Sequence, residues 1–318
     1  MKKIVVLDGY TLNPGDLSWD SLKQLGEVVI YERSIGKEIP ERIADADIVL
    51  TNKAVLTDAY IKEASSLKYI GVMATGYNII DITATNKRNI TVTNVPAYST
   101  ASVAQLTIAI MLELSAHVAL YAKSVSDGDW ERCKDFSYQL KPIIELEGKI
   151  LGIVGFGQIG RKVANIALAF GMKVIASHRH PERDRMEGVT FVDEEKCFRE
   201  ADFISLHCPL NDLNKNFVNQ KLLGMMKPSA FLINTSRGGL IHEQYLADAL
   251  NAGHIAGAGL DVLSIEPPAS DNPLLQAKNC LITPHIGWAT FEARTRLMQV
   301  TVNNIRAFLD GNPVNVVR

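Results

Sequence analysis

The fold of this chain is decided by one stretch, KILGIVGFGQIGRKVANIALAFGMKVIASHR at residues 149–179. An apolar run at 150–154 leads into the glycine motif GFGQIG at 155–160. Apolar residues then recur at helical spacing until Gly171, and a second apolar run follows at 173–177. The stretch therefore predicts a strand, a tight glycine turn, a helix and a second strand.

The three glycines of the turn suit a dinucleotide. Gly155 makes the turn, Gly157 lets a pyrophosphate approach the backbone, and Gly160 lets the helix pack on the strand. The helix N-terminus, at Gln158 and Ile159, then offers free N–H groups and a dipole to the phosphates. A glycine-rich turn without a ligand is the alternative. Because the motif follows a strand and opens a helix within a unit of about 30 residues, we expect dinucleotide binding here.

Length and composition indicate a globular protein of about two domains. The chain has 318 residues, of which 47% are apolar and 21% are charged. A net charge of −2 creates no basic field, so we expect neither nucleic acid nor a membrane as a partner. The first apolar run stops at Asp8, too early for a signal peptide or a membrane span, which predicts a cytoplasmic protein. Four scattered cysteines predict reduced thiols and no metal site.

The first part of the chain alternates short apolar runs with amphipathic segments, which is typical of a small parallel α/β sheet. The runs lie at 4–7, 28–31, 48–51, 69–73 and 90–95. The most informative turn here is ATGYN at 74–78, directly after a strand, where backbone N–H groups could face a ligand crevice. An ordinary strand-ending turn explains these residues equally well.

The middle of the chain predicts a helix and an irregular arm. After a proline-containing crossing at 94–99, the apolar segment 102–125 predicts one buried helix. Aromatic residues in the arm, 127–142, favour a subunit contact, with local packing as the alternative. Further predicted strands lie at 202–208, 230–234, 255–262 and 280–283. A last helix, 290–309, is expected to return to the first domain.

Three strand ends of the second half each carry one chargeable residue that suits hydride chemistry. Arg237, followed by two glycines, can present a planar fork to a carboxylate. Glu266 is restricted by two following prolines, and His285 can transfer a proton near neutral pH. A carboxylate beside an imidazole favours the imidazolium, which is the proton donor that a ketone oxygen needs. Each residue alone also suits a surface charge, a turn or a loop cap, but their shared position favours an active site.

The chain resembles the D-isomer-specific 2-hydroxyacid dehydrogenase family over essentially its whole length. The matching motifs are GFGQIG (155–160), LHCPL (206–210), INTSRGG (233–239), GLDVLSIEPP (259–268) and TPHIGWAT (283–290). The resemblance implies an α/β protein of two Rossmann-like, doubly wound parallel-sheet domains with a cleft between them. It implies a substrate domain of 1–97 plus 288–318 and a dinucleotide-binding domain of 98–287, with a homodimer contact through residues 100–142.

The same resemblance implies roles for individual residues. Arg237 binds the carboxylate of a small 2-keto or 2-hydroxy acid, His285 is the acid/base, and Glu266 raises the proton affinity of the imidazole. Thr75 and Gly76 lie in a stretch that resembles the family loop whose backbone amides bind the substrate carboxylate, which implies that they contact the substrate. The resemblance implies the same of Trp288, where the family usually has a small residue. Cofactor contacts are implied for Arg237, His285 and the further residues His178, Arg179, Cys208, Pro209, Thr235, Ser236, Asp261 and Gly287.

Within the family, the chain looks most like the glycerate dehydrogenase or hydroxypyruvate (glyoxylate) reductase branch. The similarity rests on short length, the segment YQLKPIIELEGKILGIVGFGQIG at 138–160, and Trp288. It predicts hydride transfer between a nicotinamide cofactor and C2 of hydroxypyruvate or glyoxylate. A phosphoglycerate-type dehydrogenase is one alternative, although no regulatory domain is expected after the last helix. A non-catalytic NAD(H)-sensing corepressor is another, because it shares the fold and the three charged residues.

The end of the second strand of the central unit predicts the choice of cofactor. Folds selective for NAD place Asp or Glu there, about 20 residues after the glycine turn, to bind the ribose 2′-hydroxyl. By register with the family, this chain has His178 instead, with Arg179 beside it. We therefore expect that no carboxylate repels a 2′-phosphate at this position and that a cation pairs with it. The sequence thus predicts a preference for NADP(H) over NAD(H). The alternative is that Arg179 stacks on the adenine and both cofactors serve.

Overall fold

The computed structural model describes residues 1–317, and the chain divides into two compact units. One unit contains Met1–Ser99 and the segment that starts at Ala289, and the other contains Thr100–Trp288. These bounds are close to the domains expected from the sequence, whose functional assignment stays a prediction. Each unit contains one parallel sheet with helices, so the expected fold class of two doubly wound α/β domains is confirmed.

The first unit has a five-stranded parallel sheet of order β2-β1-β3-β4-β5. Its strands are β1 (Lys3–Val6), β2 (Glu27–Ile30), β3 (Ile48–Thr51), β4 (Tyr69–Val72) and β5 (Thr91–Thr93). The helices between them are α1 (Gly9–Leu12), α2 (Asp20–Lys23), α3 (Glu38–Ile43), α4 (Asp58–Glu63) and α5 (Ile82–Lys87). The order is that of flavodoxin-like sheets. All four residues of β3 and of β4 are buried, because central parallel strands are covered on both faces and therefore read as apolar runs.

The second unit has a seven-stranded sheet of order β12-β11-β10-β9-β6-β7-β8. The strands are β6 (Ile150–Val154), β7 (Lys173–Ser177), β8 (Val189–Phe191), β9 (Phe203–Leu206), β10 (Phe231–Asn234), β11 (Gly257–Leu260) and β12 (Cys280–Ile282). The helices are α6 (Thr100–Ala116), α7 (Val118–Ser126), α8 (Gln158–Ala169), α9 (Glu194–Glu200), α10 (Gln220–Leu223) and α11 (Glu243–Asn251). The strands from β8 to β11 follow the Rossmann order 3-2-1-4-5-6, and β12 extends the edge.

The last helix, α12 (Phe291–Leu309), belongs to the first unit. The rings of Tyr69 on β4 and Phe308 lie 4.8 Å apart, and Asn304 donates to the carbonyl of Asn94 at 2.9 Å. The expected return of this helix to the first part of the chain is therefore what the structure shows.

The predicted single buried helix over 102–125 is wrong in its second half. His117 has φ of 52°, a left-handed conformation, and separates α6 from α7. Helix α6 packs against α8, β10 and β11, whereas the only buried residue of α7 is Ser124. Apolar composition continues across the break, but nothing in the sequence says which half the sheet covers. Among residues 1–317 no single helix is long and apolar enough to cross a membrane, although α6 and α7, bent by 59°, meet that test as a pair.

Candidate active site

The glycine turn after β6 has the geometry that a dinucleotide requires. Gly155 has φ of 93°, and a Cβ there would lie 2.5 Å from the backbone nitrogen of Cys208. A Cβ at Gly160 would lie 2.5 Å from the carbonyl oxygen of Gly155, so helix and turn are in close contact. At Gly157, by contrast, a Cβ would meet no protein atom within 4 Å. The turn is thus closed toward the sheet and open at Gly157, which fits a pyrophosphate at the N-terminus of α8.

The ends of β9 and β10 are joined beside this turn. The hydroxyl of Ser236 donates to the carbonyl of Cys208 at 2.6 Å, and the hydroxyls of Thr235 and Thr107 lie 2.9 Å apart. Burial raises the pKa of the Cys208 thiol to about 11, so this group is protonated at neutral pH. Pro209, the next residue, is exposed. These four predicted cofactor contacts therefore lie at two neighbouring strand ends.

Arg237 lies on the loop after β10, which packs on the loop after β11. A Cβ at Gly238 would lie 1.9 Å from the carbonyl carbon of Leu263, so only glycine permits this approach. The side chain of Asn234 braces the loop, because it donates to the carbonyl of Arg237 at 2.9 Å and accepts from the Ser236 N–H at 3.0 Å. The Arg237 side chain is exposed, and its Nη1 donates to the carbonyl of Ser236 at 2.7 Å.

Glu266 and His285 form a pair. Glu266 Oε2 lies 2.6 Å from His285 Nδ1, and Glu266 Oε1 accepts the N–H of Leu263 at 3.0 Å. The carboxylate is therefore held from its own loop while it contacts the imidazole. His285 has φ of 54°, a left-handed conformation that is uncommon for a residue with a Cβ. With Nδ1 against the carboxylate, Nε2 is the ring nitrogen left for a reacting group.

Asp261 braces the loop that carries His285, a role that the sequence did not reveal. Its side chain is buried, and its Oδ1 accepts from the Thr283 hydroxyl at 2.6 Å and from the Ile286 N–H at 2.8 Å. Its Oδ2 accepts from the Gly287 N–H at 2.8 Å. Both oxygens are thus engaged on either side of His285. The expected cofactor contacts of Asp261 and Gly287 stay predictions.

In the first unit, the expected substrate contacts lie on a turn whose side chains are bonded locally. The Thr75 hydroxyl donates to the carbonyl of Val95 at 2.9 Å, and Asn94 donates to the carbonyl of Thr75 at 2.7 Å. Within residues 1–317, the backbone N–H groups of Thr75 and Gly76 donate to no protein acceptor. Two backbone donors therefore stay available for an anion. Trp288 is half-buried in the second unit, and all three substrate contacts stay predictions.

The end of β7 departs from what the sequence predicted, because a carboxylate is present. His178 Nδ1 accepts the N–H of Phe156 at 3.1 Å, and His178 Nε2 lies 2.7 Å from Asp184 Oδ2. Arg183 donates to the same oxygen through Nε at 3.0 Å and Nη2 at 2.6 Å. These contacts, from Arg183 first and then His178, lower the pKa of Asp184 to about 2. The expectation of no carboxylate was therefore wrong.

Arg179 is exposed, and it forms no ion pair within the described part of the chain. The sequence signal that could have identified Asp184 as the carboxylate at this strand end was weak. The loop between β7 and β8 contains three acidic residues, Glu182, Asp184 and Glu187, and only their placement in space distinguishes them.

Comparisons with known proteins agree with this geometry. Residues 108–287 match the family model of the D-isomer-specific 2-hydroxyacid dehydrogenase NAD-binding domain. A hydroxypyruvate reductase of Blautia hydrogenotrophica is 47% identical over 320 residues, with 99% of each chain covered. An acyclic imino acid reductase solved with NADPH and D-arginine is 33% identical with a TM-score of 0.87, covering 99% of this chain and 100% of the other.

A third relative is a solved NADPH-dependent glyoxylate/hydroxypyruvate reductase of Sinorhizobium meliloti. It is 26% identical with a TM-score of 0.86, covering 100% of this chain and 98% of the other. The resemblance read from the motifs is confirmed, and the chain is an oxidoreductase that uses a nicotinamide cofactor. By its matched NAD-binding domain and its full-length relatives, the chain belongs to the D-isomer-specific 2-hydroxyacid dehydrogenase family.

Proposed function

We propose that this enzyme reduces hydroxypyruvate or glyoxylate at C2 to the corresponding 2-hydroxy acid. The observation that carries the chemistry is the 2.6 Å contact between Glu266 and His285 on a loop that Asp261 braces. The similarity to the Blautia hydroxypyruvate reductase over the whole chain supports the choice of substrate. Both small acids have a carboxylate beside the carbonyl group that is reduced, and Arg237 can bind this carboxylate.

In this proposal His285 is the proton donor. The carboxylate of Glu266 against Nδ1 orients the imidazole, so that Nε2 can give its proton to the developing alkoxide oxygen. The nicotinamide, when bound, supplies the hydride. In the reverse direction the neutral His285 accepts the hydroxyl proton.

Arg237 holds the substrate. A guanidinium presents two parallel N–H groups, which match a carboxylate, and its charge also polarises the adjacent keto oxygen. The contact of Nη1 with the Ser236 carbonyl limits the rotation of this group. The backbone N–H groups of Thr75 and Gly76, which donate to no protein acceptor among residues 1–317, are proposed as substrate contacts of the first unit.

We propose further that NADP(H) is preferred over NAD(H). The support is Arg179 at the end of β7, which forms no ion pair among residues 1–317, together with Arg161 and Arg183 close to the same strand end. A hydrogen bond to a charged group contributes ~1.5–3 kcal/mol, which is about one to two decades in affinity. Two of the solved relatives are described with NADPH. Asp184 is the observation that opposes this preference.

A homodimer is proposed through residues 100–142. Val118 is 62% exposed and Phe136 is 90% exposed, and Trp130 and Leu140 are exposed as well. Apolar side chains in such number suit burial against a second copy of the chain. Light scattering on the purified protein would give the mass directly, and a monomer would contradict the assignment. A cytoplasmic location stays a prediction.

The test of the proposed reaction is turnover. When hydroxypyruvate or glyoxylate is added to purified enzyme with reduced cofactor, the absorbance of the reduced nicotinamide should decrease. A panel of larger keto acids in the same assay ranks the substrates, because each methylene in a pocket changes selectivity by ~1–3 kcal/mol. No turnover with any small 2-keto acid, despite cofactor binding, would favour the non-catalytic sensor. Turnover confined to larger acids would contradict the substrate assignment alone.

A further inference from the structure

The loop between β7 and β8 places the carboxylate of Asp184 between two arginines, next to the position predicted for the ribose. The side chain of Asp184 is 17% exposed, although the loop itself lies on the surface. Its Oδ2 accepts two hydrogen bonds from Arg183, and its Oδ1 lies 3.6 Å from Nη1 of Arg161 at the start of α8. One carboxylate therefore engages two of the guanidinium groups at this strand end.

His178 connects this carboxylate to the glycine turn. Because its Nδ1 accepts the backbone N–H of Phe156, the proton of the neutral ring is on Nε2, which donates to Asp184. Phe156 lies between Gly155 and Gly157 of the turn. Asp184 is thus tied to the turn through a single imidazole and has a defined position relative to it.

The end of the second strand is where Rossmann folds contact the ribose 2′-position. A 2′-phosphate is an anion that needs cationic partners, and at this site Asp184 already engages Arg161 and Arg183. A 2′-hydroxyl is neutral and needs an acceptor, which the carboxylate can supply. The two cofactors therefore make opposite demands on the same residue.

We propose that Asp184 is a specificity-determining residue that limits the preference for NADP(H) and allows NAD(H) to bind. It does so by competing for the arginines that a 2′-phosphate would pair with, and by repelling that phosphate directly. The inference rests on the proposed assignment of this strand end to the adenosine ribose. It does not require that the substrate be hydroxypyruvate.

The first experiment compares full-length variants by kcat/KM with NADPH and with NADH at one ionic strength. Asp184→Asn should raise the NADPH-to-NADH ratio of kcat/KM by about tenfold, the effect of one hydrogen bond to a charged group. Glu182→Gln is the matched control, because it removes one negative charge from the same loop. The Glu182 side chain is 80% exposed and forms its ion pair with Arg185, away from Asp184. The control should leave the ratio within about twofold of the wild type.

The second experiment needs no turnover. Calorimetric titration with adenosine 2′,5′-bisphosphate and with adenosine 5′-monophosphate isolates the contribution of the 2′-phosphate. Asp184→Asn should tighten binding of the bisphosphate about tenfold and should not tighten the monophosphate, whose 2′-hydroxyl loses a charged acceptor. Arg183→Gln should weaken binding of the bisphosphate selectively.

Three outcomes would overturn the inference: an unchanged ratio, equal tightening of both nucleotides, or weaker binding of the bisphosphate by Asp184→Asn. The last would mean that Asp184 orients Arg183 for the phosphate. Failure of the proposed reaction is distinguishable, because the titrations do not depend on it. A wild type that prefers NADH would contradict the proposed NADP(H) preference, yet would leave the role of Asp184 intact if Asp184→Asn raises the ratio.

Discussion

Replacing Asp261 with Asn tests whether the buried carboxylate positions the catalytic loop. Its oxygens accept three hydrogen bonds, two on Oδ1 from Thr283 and Ile286 and one on Oδ2 from Gly287. An asparagine of the same shape keeps one acceptor oxygen and places an NH₂ group at the other position. In the better of its two orientations, the amide oxygen keeps the hydrogen bonds from Thr283 and Ile286. The amide NH₂ group then faces the Gly287 N–H, so two donors meet without an acceptor.

The expected cost follows from that count. One hydrogen bond to a charged group contributes ~1.5–3 kcal/mol, and the two that remain lose their charge assistance. The side chain is 2% exposed, so water does not replace the lost acceptor. If the cost falls on the loop conformation that holds His285, kcat decreases by roughly 10- to 100-fold, since ~1.4 kcal/mol is tenfold in rate.

The assay is steady-state reduction of hydroxypyruvate, with thermal unfolding measured on the same samples. Thr283→Val is the matched control, because it removes one donor while Oδ1 keeps the Ile286 N–H and the carboxylate keeps its charge. Its kcat should fall less than that of Asp261→Asn. A kcat within twofold of the wild type for Asp261→Asn would refute the reasoning, and so would an equal loss in both variants.

Four further predictions concern the catalytic residues and the buried thiol of Cys208. His285→Ala should lower kcat by roughly 10²–10⁴-fold, and Arg237→Lys should be severe because an ammonium does not reproduce the bidentate fork; near-normal turnover in either variant would remove that residue from the mechanism. Glu266→Gln should lower kcat, since the imidazole loses the carboxylate that orients it at 2.6 Å, while cofactor binding measured by titration stays similar. An unchanged kcat would make Glu266 a turn residue only. Because burial raises the pKa of Cys208 to about 11, its thiol should react slowly with iodoacetamide at neutral pH and gain reactivity only as the pH approaches that value. Rapid labelling of Cys208 at neutral pH, detected by mass spectrometry, would contradict this.

The fold was predictable from the sequence because its signals are local. Buried parallel strands read as apolar runs, and β6 and β7 have the bounds that the glycine motif and its flanks predicted. Strand β8 was not predicted, because Val189–Phe191 is short and none of its residues is fully buried. The positions of Arg237, Glu266 and His285 at strand ends were also predictable, since parallel strands place their carboxyl ends at one edge.

What the tertiary structure decided depends on which side chains meet in space. The apolar segment 102–125 reads as one helix, and only packing against the sheet distinguishes buried α6 from exposed α7. Asp261 accepts hydrogen bonds from Thr283, Ile286 and Gly287, and Asp184 contacts His178. No local sequence pattern encodes either set of contacts. A side chain's charge is written in the sequence, but its partner is set by distance in space, because electrostatic and hydrogen-bonding energies fall off over a few ångströms.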